Sequence, residues 1–417
     1  MKPTAKIFIG LLGAIMVFVF VFNYFTKDNI PTLNISATDL MADVEADTVT
    51  TDPTSETFGP GFTTLSADIF KNTYTDQENI LISPLSIVLA LAMCENGAAN
   101  NTLVQMEKLL LDMPVSRLNN DLKNYLDSLD DETILQISNS IWIRDDQDRI
   151  TINPEFLKTN ASYYRADGYL APFDQSTLDD INNYIDYHTK GMIKKALDKV
   201  PLEAVMYLIN TVLFESQWAS EYTSDMVYKG KFTNANGTTS EVEFLHGNES
   251  LYLEDESLTG FVKKYKDERY GFVALLPKTD VATFLGELDG AKLHDLITNP
   301  QALPVTTATP KFKYGYKKEL SGLLSSLGMV DAFSEIADFS KMATTASGAL
   351  FISRVLHNCA IELNEIGTKA GAVTIVEMVD SAAIDNEKKV VLDRPFVYMI
   401  YDFQQEVPVF IGAVNSL

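Results

Sequence analysis

The stretch Glu365–Pro395, EIGTKAGAVTIVEMVDSAAIDNEKKVVLDRP, constrains the fold more than any other part of the chain, because it reads as a loop and as a strand at once. It opens Gly367-Thr368-Lys369-Ala370-Gly371-Ala372, a run with almost no bulk, and turns β-prone through Val373-Thr374-Ile375-Val376. Taken as a strand, one face carries Thr368, Ala370, Ala372, Thr374, Val376 and Met378, all small or apolar. Such a face can be buried. The other face, with Lys369, Gly371, Val373, Ile375 and Glu377, is mixed and needs only partial cover.

The rest of the chain is compatible with one large domain or with two to three ordinary ones: 417 residues, 46% hydrophobic, suffice for a sizeable core. The 33 basic residues face 57 acids for a formal charge of −24, which argues against a nucleic-acid or anionic-membrane surface. Cys94 and Cys359 are too few for a disulfide scaffold and lack metal-ligand spacing, so free structural thiols are expected, with no metal and no cofactor. Residues 1–25 hold an apolar run from Ile7 to Phe25, long enough to cross a bilayer, and read as a signal peptide or signal anchor for export to the cell surface or beyond. Residues 26–57, rich in Thr, Ser, Asp and Glu, suit a flexible acidic tether, and the folded domain is expected over 58–417.

Within that domain, helix-like and strand-like segments alternate without an internal repeat. Leu85–Cys94, Val104–Leu111 and Leu178–Lys199 show helical spacing, the last with Leu178, Ile181, Ile185, Ile193 and Leu197 near one stripe. Ile134–Trp142, Ala204–Phe214, Gly271–Leu276, Ala349–Leu363, Val397–Tyr401 and Val407–Val414 read as strands. The segments from Ala204 and Ala349, with the run from Val373, are long enough to be central strands of one sheet. An α+β single domain follows. No nucleophile elbow, zinc-binding helix, phosphate loop or dinucleotide fingerprint is present, and the four histidines show no serine-histidine-acid order, so an enzyme is not expected.

Several separated motifs, in order, give the chain a family resemblance. Asn79-Ile-Leu-Ile-Ser83-Pro84-Leu-Ser86-Ile87, Ile181-Asn182-x-Tyr184-Ile185, Asn210-Thr-Val-Leu-Phe214-x-x-x-Trp218, Thr309-Pro310-Lys311-Phe312, His357 ten residues before Gly367, and Pro408-x-Phe410-x-Gly412-x-Val414 together resemble the serpins, the serine protease inhibitors. The resemblance implies a single large domain with three β-sheets, about eight to nine helices and an exposed reactive-centre loop near 367–390. It also implies that Ser83, Ser86, Asn210, His357 and Trp218 control the opening of the central sheet. Glu215-Ser216-Gln217 departs from the Lys-Gly-Lys usual before that tryptophan, which alters the local charge.

The implied mechanism is suicide inhibition. A serine or cysteine protease attacks the loop, and the freed segment inserts as a strand from the hinge Gly367, Thr368, Ala370, Gly371, Ala372 and Thr374. The family's spacing of fourteen residues from the hinge glycine places the reactive bond at Ser381-Ala382, suited to elastase-like or subtilisin-like proteases, with Asp380-Ser381, Met378-Val379 and Ala383-Ile384 as other options. A covalent acyl complex with a target protease, from a monomeric inhibitor, is the expected partnership. The alternative is a non-inhibitory ligand carrier or chaperone on the same fold.

Overall fold

The computed structural model describes residues 31–417 apart from 77, 130–133, 146–149, 202–203, 347–349 and 369–387. Its centre is an eight-stranded sheet built from β1 (Thr38–Asp39), β2 (Leu135–Arg144), β3 (Asp167–Ala171), β4 (Met206–Phe214), β5 (Ser216–Gln217), β6 (Phe312–Glu319), β7 (Arg354–Leu363) and β8 (Gly367–Thr368). The order across it is β1-β3-β2-β4-β7-β8-β5, with β6 on the other flank of β7. Every residue of β4 is buried, as expected of a near-continuous apolar run covered on both faces. Alternation sorts its side chains: Met206 and Leu208 join the main core, whereas Tyr207 and Ile209 join a second core beneath the helix α2 (Gln175–His188).

A six-stranded antiparallel sheet ends in Phe396–Asp402, Val407–Val414 and Ile80–Ile82, and a four-stranded sheet takes in Lys388–Val391, parallel to Val305–Ala308. The distal end of the expected loop, 388–390, is therefore already strand. Ile150–Ile152 and Ala343–Thr345 make a small two-stranded sheet besides these three. Nine α-helices occur among the described residues, so the α+β single-domain fold with three main sheets holds. The helix α1 (Pro84–Glu95) is buried throughout and starts on Ser83, whose hydroxyl accepts the Ser86 N–H, with proline in the first turn.

Three expectations need correction. The helix expected over Leu178–Lys199 stops at His188, because Lys190 and Gly191 adopt φ of 49° and 80° and turn the chain. Ile193 and Leu197 still bury, but from a loop. The strand expected from Ala349 begins at Arg354.

From Pro31 onward the expected tether packs on the domain. Thr38–Asp39 pairs with Tyr169–Leu170, and the buried Asp180 carboxylate accepts the Ser36 and Ala37 N–H groups at 3.0 and 2.9 Å. Few large apolar residues were needed because backbone pairing and hydrogen bonds to side chains such as Asp180, Ser162, Asn120 and Asp121 do much of the holding. Residues 1–25 lie outside the described residues, among which no helix is long and apolar enough to cross a membrane.

Candidate insertion site in the central sheet

Two long neighbouring strands of the central sheet, β4 and β7, are partners for only part of their length. β4 and β7 pair in parallel from Tyr207↔Arg354 to Asn210↔His357, and among the described residues the pairing stops there. Thr211–Phe214 remains paired to β2, and Asn358–Leu363 to β6, so both strands continue but no longer to each other. At the far end β8 lies between β7 and β5, which follows β4: Thr368 is registered with Leu363 on one side and Ser216 on the other, antiparallel to both. Gly367–Thr368 thus occupies the mouth of a gap in the ladder.

Local chemistry holds those two residues there. Asn364 makes the turn, its side-chain oxygen accepting the N–H groups of Ile366 and Gly367 at 3.0 and 3.2 Å. A Cβ on Gly367 would lie 2.1 Å from the Ser216 carbonyl oxygen, so only glycine admits this approach. Thr368 is buried, its hydroxyl 2.6 Å from the Tyr265 hydroxyl. Trp218 donates its indole N–H to the Asn364 carbonyl at 2.9 Å and stacks on Tyr265 at 4.6 Å. Lys263, itself buried, lies 5.4 Å above the Trp218 ring and pairs with the partly buried Glu249 at 2.9 Å.

The other end of the gap is closed by a polar cluster. The Ser83 N–H donates to His357 Nε2 at 3.0 Å, and Cys359 Sγ lies 3.1 Å from the same nitrogen. Burial lowers the His357 pKa to about 4, so the ring is neutral. Asn210, registered beside His357, donates to Asn139 on β2. Beyond it Ser138 meets His188 Nδ1 at 2.7 Å, and burial likewise brings His188 to about 4. Cys94 and Cys359 are both free and buried.

Sequence reasoning grouped Ser83, Ser86, Asn210, His357 and Trp218; Ser83 joins His357 and the Ser86 N–H, and Asn210 lies beside His357 in register. Trp218 stands apart, at the mouth with the hinge. Asn139, Asn364, Tyr265 and Lys263 carried no spacing signal and were missed. Ala370, Gly371, Ala372, Thr374 and the reactive bond Ser381-Ala382 lie outside the described residues.

Comparison with known proteins decides the family. The sequence model described as "Serpin (serine protease inhibitor)" matches residues 61–417. The chain belongs to the serpin family. An uncharacterized serpin-like protein of Methanosarcina acetivorans is 27% identical over 368 residues, 84% of each chain. Among solved structures, a thermophilic serpin, Tengpin, in the native state is 43% identical, with a TM-score of 0.88 over 92% of this chain and all of that one. The same serpin in the latent state matches at the same identity with a TM-score of 0.78, over 88% of this chain and all of that one. With sequence held constant, this serpin therefore resembles the native form more than the latent one. Members of the family are protease inhibitors rather than enzymes.

Proposed function

We propose that this serpin is an irreversible suicide-substrate inhibitor of a serine protease with a shallow, elastase-like or subtilisin-like specificity pocket. The observation that carries the reading is the gap between β4 and β7 with Gly367–Thr368 at its mouth. The protease serine attacks the Ser381 carbonyl carbon, the bond to the Ala382 nitrogen breaks, and the protonated amine leaves an ester on Ser381. A cysteine protease would leave a thioester. Once cut, the segment from Thr368 extends into the gap, makes ladder bonds on both flanks and carries the ester-linked protease away before water resolves it. Residues 7–25 export the protein and anchor it at the cell surface, where it acts as a monomer. Mass spectrometry of the mature N-terminus tests the anchor, which a new terminus beyond residue 25 would refute.

The test of inhibition mixes the chain with a pancreatic-type elastase and follows denaturing gels and the mass of the released C-terminal peptide. A band at the summed mass that survives boiling in detergent, with a peptide beginning at Ala382, is the expected result. Thr368→Arg places a long cation at a buried ladder position, at a cost of about 3–5 kcal/mol when unpaired, and is expected to turn inhibitor into substrate. Undiminished complex from that variant refutes the hinge reading. Cleavage without complex by the unmodified chain, and without a gain in heat stability, supports the carrier instead.

A further inference from the structure

Beyond His188 the chain crosses the face of the sheet and, over residues 190–195, roofs a cavity of about 680 Å³. Its floor is β6 and β7. Their register sets Gly315 directly opposite Ala360, and Ala360 packs against the core beneath α2, so two of the smallest side chains share that face. The cavity is the volume their missing bulk leaves under the roof residues Met192 and Ile193.

The rim has the opposite character. Lys190, Lys194, Lys195, Lys313 and Lys317 line it against a single acid, Glu362, in a chain whose formal charge is −24. Lys190 is held by Glu215, Lys195 by Asp198 and Lys313 by Glu362, while Lys317 donates to the Lys195 carbonyl. Among the described residues, Lys194 and Lys317 have no ion pair. A pocket of this size suits a small organic molecule, and a small apolar floor beneath a cationic rim selects one that is apolar at one end and anionic at the other.

We propose that this cavity is a binding site for a small anionic amphiphile, an apolar chain or ring bearing a carboxylate. Such a ligand spans the 190–195 roof and β6–β7, joining two parts of the molecule that flank the gap. By bracing them it slows entrance of the loop strand, a consequence that rests on the inhibitor reading, whereas binding itself does not.

The probe is dodecanoate below its micelle concentration, titrated calorimetrically into the full chain beside dodecan-1-ol, which has the same chain length and no charge. Gly315→Leu fills the floor, where a Cβ meets only the Cys359 carbonyl oxygen at 3.7 Å, and Lys194→Glu with Lys317→Glu inverts the rim. One equivalent of dodecanoate is expected to bind, with each variant weakening it about tenfold or more and the alcohol binding at least as weakly. Unchanged affinity in both variants, or equal affinity for the alcohol, overturns the site. In the elastase assay, dodecanoate is expected to slow complex formation by the parent chain but not by Gly315→Leu. Equal slowing of both overturns the bracing. If no complex forms without dodecanoate, the inhibitor reading fails while the calorimetric result stands.

Discussion

Glu95 offers the sharpest quantitative test, because its environment is unfavourable to its charge from every side. It closes α1, is 1% exposed, and among the described residues neither carboxylate oxygen has a hydrogen-bond partner. Burial, then Glu107, pushes its pKa from 4.5 up to about 8, and the C-terminal end of the helix dipole acts in the same direction. Between those values the native chain holds a proton that the unfolded chain has released. Stability from this group is therefore complete below pH 4.5 and is lost as pH rises through 8, at about 1.4 kcal/mol per pH unit. The whole interval amounts to ~5 kcal/mol. Glu95→Gln retains the shape of the protonated acid and removes the titration. Urea unfolding of the two proteins at pH 5 and pH 8.5 should show the variant's advantage growing by about 4 kcal/mol, since all other titrations are common to both. A gap that changes by less than about 1 kcal/mol would refute the assignment of a neutral, unpartnered carboxyl.

At the acid end the sign reverses. His188 and His357, lowered to about 4, stay neutral while their unfolded counterparts at 6.5 take up protons, so each contributes roughly 3 kcal/mol that is present above pH 6.5 and lost on falling towards 4. His188→Gln should flatten that limb of the urea stability profile, and an unaltered limb would refute the attribution. Gly367→Ala forces its Cβ against the Ser216 carbonyl and should unseat the hinge, seen as faster amide exchange at Ser216–Trp218; unchanged exchange would show that the close approach is not obligatory. Asn210→Ala strips Asn139 of a buried donor at a cost of about 1–3 kcal/mol and should lower the heat stability of the uncut chain while leaving the rate of first cleavage by elastase unaltered. Slower cleavage would remove the cluster from its assigned place at the far end of the gap.

How much of this was legible depends on how each feature is encoded. Ser83, Asn210 and His357 sit in apolar runs at motif spacing, and a polar residue in a buried strand advertises a partner. Gly367 was legible for the same kind of reason, since a small-residue run before a β-prone one needs an explanation. Tyr265 and Lys263 were not, because each acts through a neighbour distant in sequence, Tyr265 through Thr368 and Lys263 through Glu249, whereas Asn364 makes a local turn to Ile366 and Gly367 that no motif spacing marks. The overshoot of α2 has a related cause. Ile193 and Leu197 continue the apolar stripe because the following loop buries in the same core, so periodicity could not tell helix from loop. Residues 31–57 misled in the opposite sense, their polarity concealing a strand added to the sheet edge.

The two ends of the gap have different tasks, and lengths show why. From Thr368 to Ser381 a fully extended segment would cover about 46 Å at 3.3 Å per residue, whereas the stretch of β7 that has left β4, Asn358–Glu362, accounts for about 16 Å. The gap can therefore seat only the first third of the incoming strand. The remainder needs the pairs from Tyr207↔Arg354 to Asn210↔His357 to open, with the Ser83–His357 and Asn139–Asn210 contacts beside them. In the proposed mechanism, seating Thr368 beneath Tyr265 starts insertion at the mouth, and parting the four lower pairs lets it continue by about 13 Å more. Under the mechanism we propose, a protease held at Ser381 is carried the full distance only after the second event. The proposed mechanism accordingly predicts that substitutions at the mouth decide whether insertion begins, and that substitutions around His357 decide how fast the acyl link is carried out of reach of water.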